Sequence, residues 1–140
     1  MITDLGHTAL RVNDLDASLA FYAQLNLHEA FRLHREDGSL MLVYLHVGGD
    51  RFLELFPNGP EPREPDGSFM HLCLVSDDIQ ADVDRLRGAG VAIQRDVKLG
   101  LDGNLQAWVA DPDGNPIELM QLADGSPQRR VARGEAAWAK

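Results

Sequence analysis

The chain has a single cysteine, no long apolar run and no surplus of basic charge, and each shortage excludes something. Cys73 alone cannot close an internal disulfide, and a lone thiol fits a reducing cytoplasm. It reads as a small buried apolar side chain rather than a nucleophile. Without roughly 18 consecutive apolar residues there is no transmembrane helix. The opening Met1-Ile2-Thr3-Asp4 lacks the basic start and apolar stretch of a signal peptide. A formal charge of −9 and a pI near 4.8 argue against nucleic acid as the main partner. The basic residues Arg129, Arg130, Arg133 and Lys140 gather in the tail, which reads as a solvated or dimer-covering segment.

What is present is a repeat. With 140 residues, 44% of them hydrophobic, the chain is one ordinary domain or two small modules. At an offset of 64, His7 meets His71 and Glu54 meets Glu118. The neighbours follow at the same offset: Leu10 with Leu74, Asp14 with Asp78, Leu19 with Val83, Tyr44 with Trp108, Leu53 with Ile117 and Leu55 with Leu119. Each copy reads strand, helix, then three strands. In the first copy we expect strands over 3–12, 29–35, 39–47 and 51–56, and a helix over 15–25 capped at Asn13-Asp14, with Leu15, Leu19 and Tyr22 on its apolar face. In the second we expect strands over 69–76, 92–98, 105–110 and 116–122. Its helix spans 79–87, capped at Ser76-Asp77, with Ile79, Val83 and Leu86 facing inward. The expected organisation is a module at 1–56, a proline-rich linker at 57–68, a second module at 69–122 and a tail at 123–140, in the α+β class.

Alternation along the strands sets Glu54 apart from Leu53 and Leu55, and Glu118 apart from Ile117 and Leu119. A carboxylate in the middle of an apolar strand is costly to bury without a partner. Taken singly, such a glutamate is usually on a solvated face, and a histidine opening a strand is usually an ordinary polar group. Together, a pseudo-two-fold axis relating the copies would bring His7, Glu54, His71 and Glu118 around one divalent metal. Mixed imidazole and carboxylate donors are not a sulfur-rich structural zinc set. They suit Zn, Ni, Co or Mn with room for waters or substrate oxygens, hence Lewis-acid chemistry with a glutamate as base. His28, His34 and His46 have no duplicate and read as surface or loop residues.

The stretches Gly6-His7-Thr8-Ala9-Leu10-Arg11-Val12, Phe52-Leu53-Glu54-Leu55, Met70-His71-Leu72 and Asp111-Pro112-Asp113-Gly114-Asn115-Pro116-Ile117-Glu118-Leu119 resemble the vicinal oxygen chelate superfamily. Within it the chain most resembles short bacterial glyoxalase I. The resemblance covers residues 1 to about 122. It implies two paired βαβββ modules in a cup-shaped mixed sheet, a homodimer, and one divalent metal (Ni, Co or Zn) on His7, Glu54, His71 and Glu118. It also implies isomerisation of the glutathione hemithioacetal of methylglyoxal through an enediolate. Glu118 would be the catalytic base, with Glu54 able to share the role. Arg11, Asn58 and Lys98 would contact a glutathione adduct. Gly67 and Met70 depart from the family pattern and bear on glutathione specificity more than on the metal. Other readings within the superfamily are an epimerase, a dioxygenase, or a non-catalytic drug-binding protein, for which an aromatic groove with Phe52, Phe56 and Trp108 would argue.

Overall fold

The computed structural model describes residues 4–59 and 69–135. These form β1 (His7–Arg11), α1 (Leu15–Gln24), β2 (Glu29–His34), β3 (Leu40–Gly48), β4 (Arg51–Phe56), β5 (Leu72–Val75), α2 (Ile79–Gly88), β6 (Arg95–Leu99), β7 (Leu105–Ala110), β8 (Pro116–Gln121) and α3 (Pro127–Ala132). The class is α+β, with two four-stranded mixed sheets ordered β1-β4-β3-β2 and β5-β8-β7-β6. In each, the first and last strands pair in parallel, a geometry that needs a crossover, and α1 or α2 supplies it. The chain divides into two compact units, the first spanning 1–66 with the turn 111–114, the second holding the rest.

In the first unit α1 begins at Asp14, whose carboxylate accepts from Ala17 N at 3.0 Å. The expected apolar face is shifted. Leu15 and Leu19 are only half-buried, and the fully buried helical residues are Ser18 and Tyr22. The cause is far away in sequence. Tyr22 Oη donates to Asp111 Oδ2 at 2.8 Å, and Asp113 accepts from Asn13 N at 2.9 Å and from Ser18 Oγ at 3.5 Å. Burial and the Asp111 charge push the Tyr22 phenol well above its ordinary value. Beside α1 the core is aliphatic: Val12, Leu27, Leu42, Val43, Leu45, Leu53 and Leu55.

The second unit is held by apolar contact. Ile79, Val83 and Leu86 of α2 are fully buried, as are Ala107, Val109 and Ile117, with Leu119 nearly so. The cap is Asp78, one residue later than expected. It accepts from Ala81 N, while Ser76 Oγ accepts from Asp78 N at 3.1 Å and donates to Asp82. Gln121 Oε1 accepts from Ile79 N at 2.9 Å, satisfying another first-turn donor.

β1 and β5 are both shorter than the expected strands, and β5 starts one position later than its duplicate because of Pro116. In the first unit Phe52 N–H donates to Gly6 O at 3.0 Å, which carries the ladder up to His7. Pro116 stands at the duplicate of Phe52 and has no N–H to give, so the β5 ladder starts at Leu72 and leaves His71 just before it.

Within the tail, residues 127–132 form α3, capped by Ser126. It docks through Gln128, which bonds Asp102 and Asn104, and buried Asn104 Oδ1 accepts from Ala123 N at 2.9 Å. Lys140 and linker residues 60–68 lie outside the described residues. No described helix is long and apolar enough to cross a membrane.

Candidate active site

Each unit holds one imidazole–carboxylate pair. In the first, β1 runs beside β4 with Ala9 opposite Glu54, and β3 flanks Glu54 on the other side with Tyr44. Paired residues share a sheet face, so His7, Ala9 and Arg11 stand with Phe52, Glu54 and Phe56. His7 Nδ1 lies 3.6 Å from Glu54 Oε1, with the histidine side chain 54% exposed and the glutamate 7%. Tyr44 also hydrogen-bonds Glu54, and that bond holds its phenol above the ordinary value. Phe31 stacks on Tyr44 at 4.3 Å, and Phe52 meets both rings edge-on.

The second unit repeats this plan with other side chains. Glu118 lies between Cys73 of β5 and Trp108 of β7. His71 Nε2 is 3.2 Å from Glu118 Oε2, the side chains being 32% and 6% exposed. Trp108 packs its ring against His71 with centroids 4.9 Å apart at 74°. Cys73 is a correction: it is exposed, not a buried apolar filler. Its thiol also hydrogen-bonds Glu118. Desolvation, the Glu118 charge and that bond push it up to about 12, so it stays protonated and is no nucleophile at neutral pH.

Thus His7 is brought to Glu54 and His71 to Glu118, each within its own unit. Among the described residues no group of three or more His, Cys, Asp and Glu side chains is placed to hold a metal. Arg11 and Asn58 come to one edge of the first sheet. Gly59 N donates to Val12 O at 2.8 Å, and a Cβ on Gly59 would stand 2.7 Å from Arg11 O, so only glycine lets the chain approach there. Asn58 takes φ 63° to make that turn. Lys98 is exposed on β6 opposite Gln106, on the face that carries Trp108 and Glu118. His28, His34 and His46 are exposed as expected, although His34 and His46 belong to strands. Tyr44 and Cys73 escaped the sequence reading as partners of the glutamates. The repeat could have found them, since Tyr44 and Trp108, like Ala9 and Cys73, are 64 apart and flank the two glutamates.

The model of the Glyoxalase/Bleomycin resistance protein/Dioxygenase superfamily matches residues 4–119. The chain belongs to that superfamily. The match takes in all four duplicated His and Glu positions. Among superfamily relatives, a probable lactoylglutathione lyase of Vibrio cholerae serotype O1 is 34% identical over 121 residues, 82% of this chain and 88% of the relative. A probable lactoylglutathione lyase of Synechocystis sp. is 32% identical, covering 84% of this chain and 94% of its own length. The solved lactoylglutathione lyase from Agrobacterium tumefaciens superimposes with a TM-score of 0.64 at 26% identity, covering 86% of this chain and 94% of that one.

The residues fit a divalent cation by the chemistry of the donors. Glu54 and Glu118 are 6% and 5% exposed, each between apolar neighbours on its strand. Each has an imidazole beside it and one neutral O–H or S–H donor, and none of these offsets the cost of a desolvated negative charge as a cation would.

Proposed function

We propose that the protein is a metal-dependent lyase of the glyoxalase I type, isomerising the hemithioacetal of methylglyoxal and glutathione. The observation that carries this reading is the duplicated pair: a buried glutamate beside a partly exposed histidine in each of two βαβββ units. The names of the relatives support it. In this reading a homodimer brings the pairs together, and His7, Glu54, His71 and Glu118 hold one nickel, cobalt or zinc ion. That ion would supply Lewis acidity toward vicinal substrate oxygens.

The protein's own groups do the rest. Glu118 takes the C–H proton and returns it to the adjacent carbon. His71 and the Cys73 thiol hold its carboxylate in position. Glu54, steadied by His7 and Tyr44, is placed to share the proton transfer. Arg11 and Asn58, gathered by the Gly59 turn, bind a carboxylate of the glutathione moiety, and Lys98 binds the glycyl end.

The test is turnover of the hemithioacetal by protein loaded with nickel, cobalt or zinc, together with metal analysis. We expect one ion per chain, and loss of it in the combined His7→Ala, His71→Ala variant. Full metal content in that variant sinks the ligand assignment. A metal-loaded protein that converts no hemithioacetal but accepts another vicinal-oxygen substrate sinks the glyoxalase reading and keeps the chelate chemistry. A second reading, a non-catalytic small-molecule binder, is favoured by the Phe31–Tyr44–Phe52 cluster on the Glu54 face. It wins if the protein turns over nothing yet binds a bulky aromatic ligand tightly.

A further inference from the structure

Two of the histidines outside the candidate site face each other across the first sheet. Glu29 of β2 pairs with Leu45 of β3 in the antiparallel register. His46 N–H then donates to His28 O at 3.3 Å, which carries the pairing one residue further and sets His28 opposite His46. Directly opposed residues of such a pair stand about 5.5 Å apart at Cα and share a sheet face. Their neighbours fix which face. Leu27 and Leu45 are buried in the aliphatic core, so His28 and His46 point the other way, and both are exposed. At that separation two imidazoles can close on one ion without moving the backbone.

Each ring is already oriented by its neighbours. His46 Nε2 lies 2.9 Å from Gly49 O, and a carbonyl only accepts, so the ring proton sits on Nε2 and Nδ1 keeps its lone pair. His28 Nε2 lies 3.2 Å from Asn26 Oδ1, also an acceptor, with the same consequence. Metal-ligating histidines are held in this way: one ring nitrogen donates to a carbonyl, and the other is left for the ion. Phe52 packs on the His46 ring with centroids 5.3 Å apart, which limits its swing. Among the described residues neither imidazole has a carboxylate within ion-pair distance, whereas His7 and His71 do. The donor set is therefore two neutral nitrogens. It suits a late first-row ion, copper(II) above nickel and zinc, and not calcium or magnesium, which demand oxygen. The net charge of −9 draws cations to the surface.

We propose that His28 and His46 form a solvent-facing two-imidazole chelate for a late first-row divalent ion, separate from the His–Glu pairs. The site stands whether or not the glyoxalase I-type reading does. With water completing its coordination, it releases its ion on dialysis and stays out of the metal count of the purified protein. His34 gives the contrast: it is also exposed on β2, but it stands opposite Leu40, with no imidazole across the strand.

Copper(II) is the probe, applied to the combined His7→Ala, His71→Ala variant so that the His–Glu pairs contribute no imidazole. Calorimetry should show one copper ion bound per chain, and its electron paramagnetic resonance spectrum should show coupling to two imidazole nitrogens. Adding His28→Gln or His46→Gln should weaken binding by about 10- to 100-fold and leave coupling to one nitrogen. His34→Gln should change neither. All three histidines are exposed, so these changes spare the core, and far-ultraviolet circular dichroism checks the fold of each variant. Affinity and two-nitrogen coupling that survive His28→Gln or His46→Gln overturn the proposal. So does a parent variant that binds no copper, or one that loses it equally with His34→Gln. Turnover of the hemithioacetal by metal-loaded wild type is measured separately and bears only on the proposed function.

Discussion

The two units share a backbone plan and the same His–Glu pair, yet they stabilise their helices by different means and surround their glutamates with different chemistry. α1 is held by polar anchors, Tyr22 and Ser18, on the acidic turn 111–114, whereas α2 is held by Ile79, Val83 and Leu86. Glu54 has Tyr44 and an aromatic cluster around it. Glu118 has Cys73, Trp108 and, one strand further, Arg95. The difference teaches that a duplicated fold keeps its geometry as long as strand register is kept, while each flanking position is free to take a separate role. One glutamate can then be tuned as the main base and the other as its helper.

The largest expected effect tests that division of labour. Glu118→Gln should lower kcat by about 10²–10⁴-fold, and Glu54→Gln by less. Steady-state kinetics on protein of verified metal content checks it, and equal losses in both variants would make the glutamates equivalent. Next comes the contrast between helices. Leu86→Ala should cost roughly 2–5 kcal/mol of stability through a cavity in the second unit, read from urea unfolding. Tyr22→Phe should cost less, about 1–3 kcal/mol, because it removes the donor from a buried Asp111 carboxylate while keeping the ring. If the order is reversed, the polar anchor of α1 outweighs the apolar seat of α2.

The smallest effect concerns acid. Hydrogen bonds from Asn104 and Gln128 hold the Asp102 carboxyl below its ordinary 3.8. A depressed folded-state pKa stabilises the fold above the unfolded value, and that contribution is lost as pH falls through the folded one. The docking of α3 should therefore loosen below about pH 4, and amide exchange of 127–132 should show it. Asp102→Asn should remove the dependence, and exchange that is flat across that range would show that Asp102 does not tie down the tail. The amides of α1 in the first unit serve as the control.

Much of this was legible in the residues. Two capped helices, eight strands and the His and Glu positions follow from periodicity and from the repeat, because both are local or translational patterns along the chain. What stayed hidden depends on atoms distant in sequence. The burial of Ser18 in place of Leu19 is set by Asp113, 95 residues away. The later start of β5 relative to β1 is set by a missing N–H on Pro116, and the exposure of Cys73 beside Glu118 by the register of β5 on β8. The common face of Arg95 and Lys98 comes from a bulge that no alternation rule anticipates. The sequence by itself determined on which faces of regular strands the duplicated histidines and glutamates would stand, since side-chain direction follows from strand periodicity alone. Only the tertiary structure decided which side chain meets which. That choice depends on register, bulges and long-range turns, whose energies belong to pairs of segments rather than to any one of them.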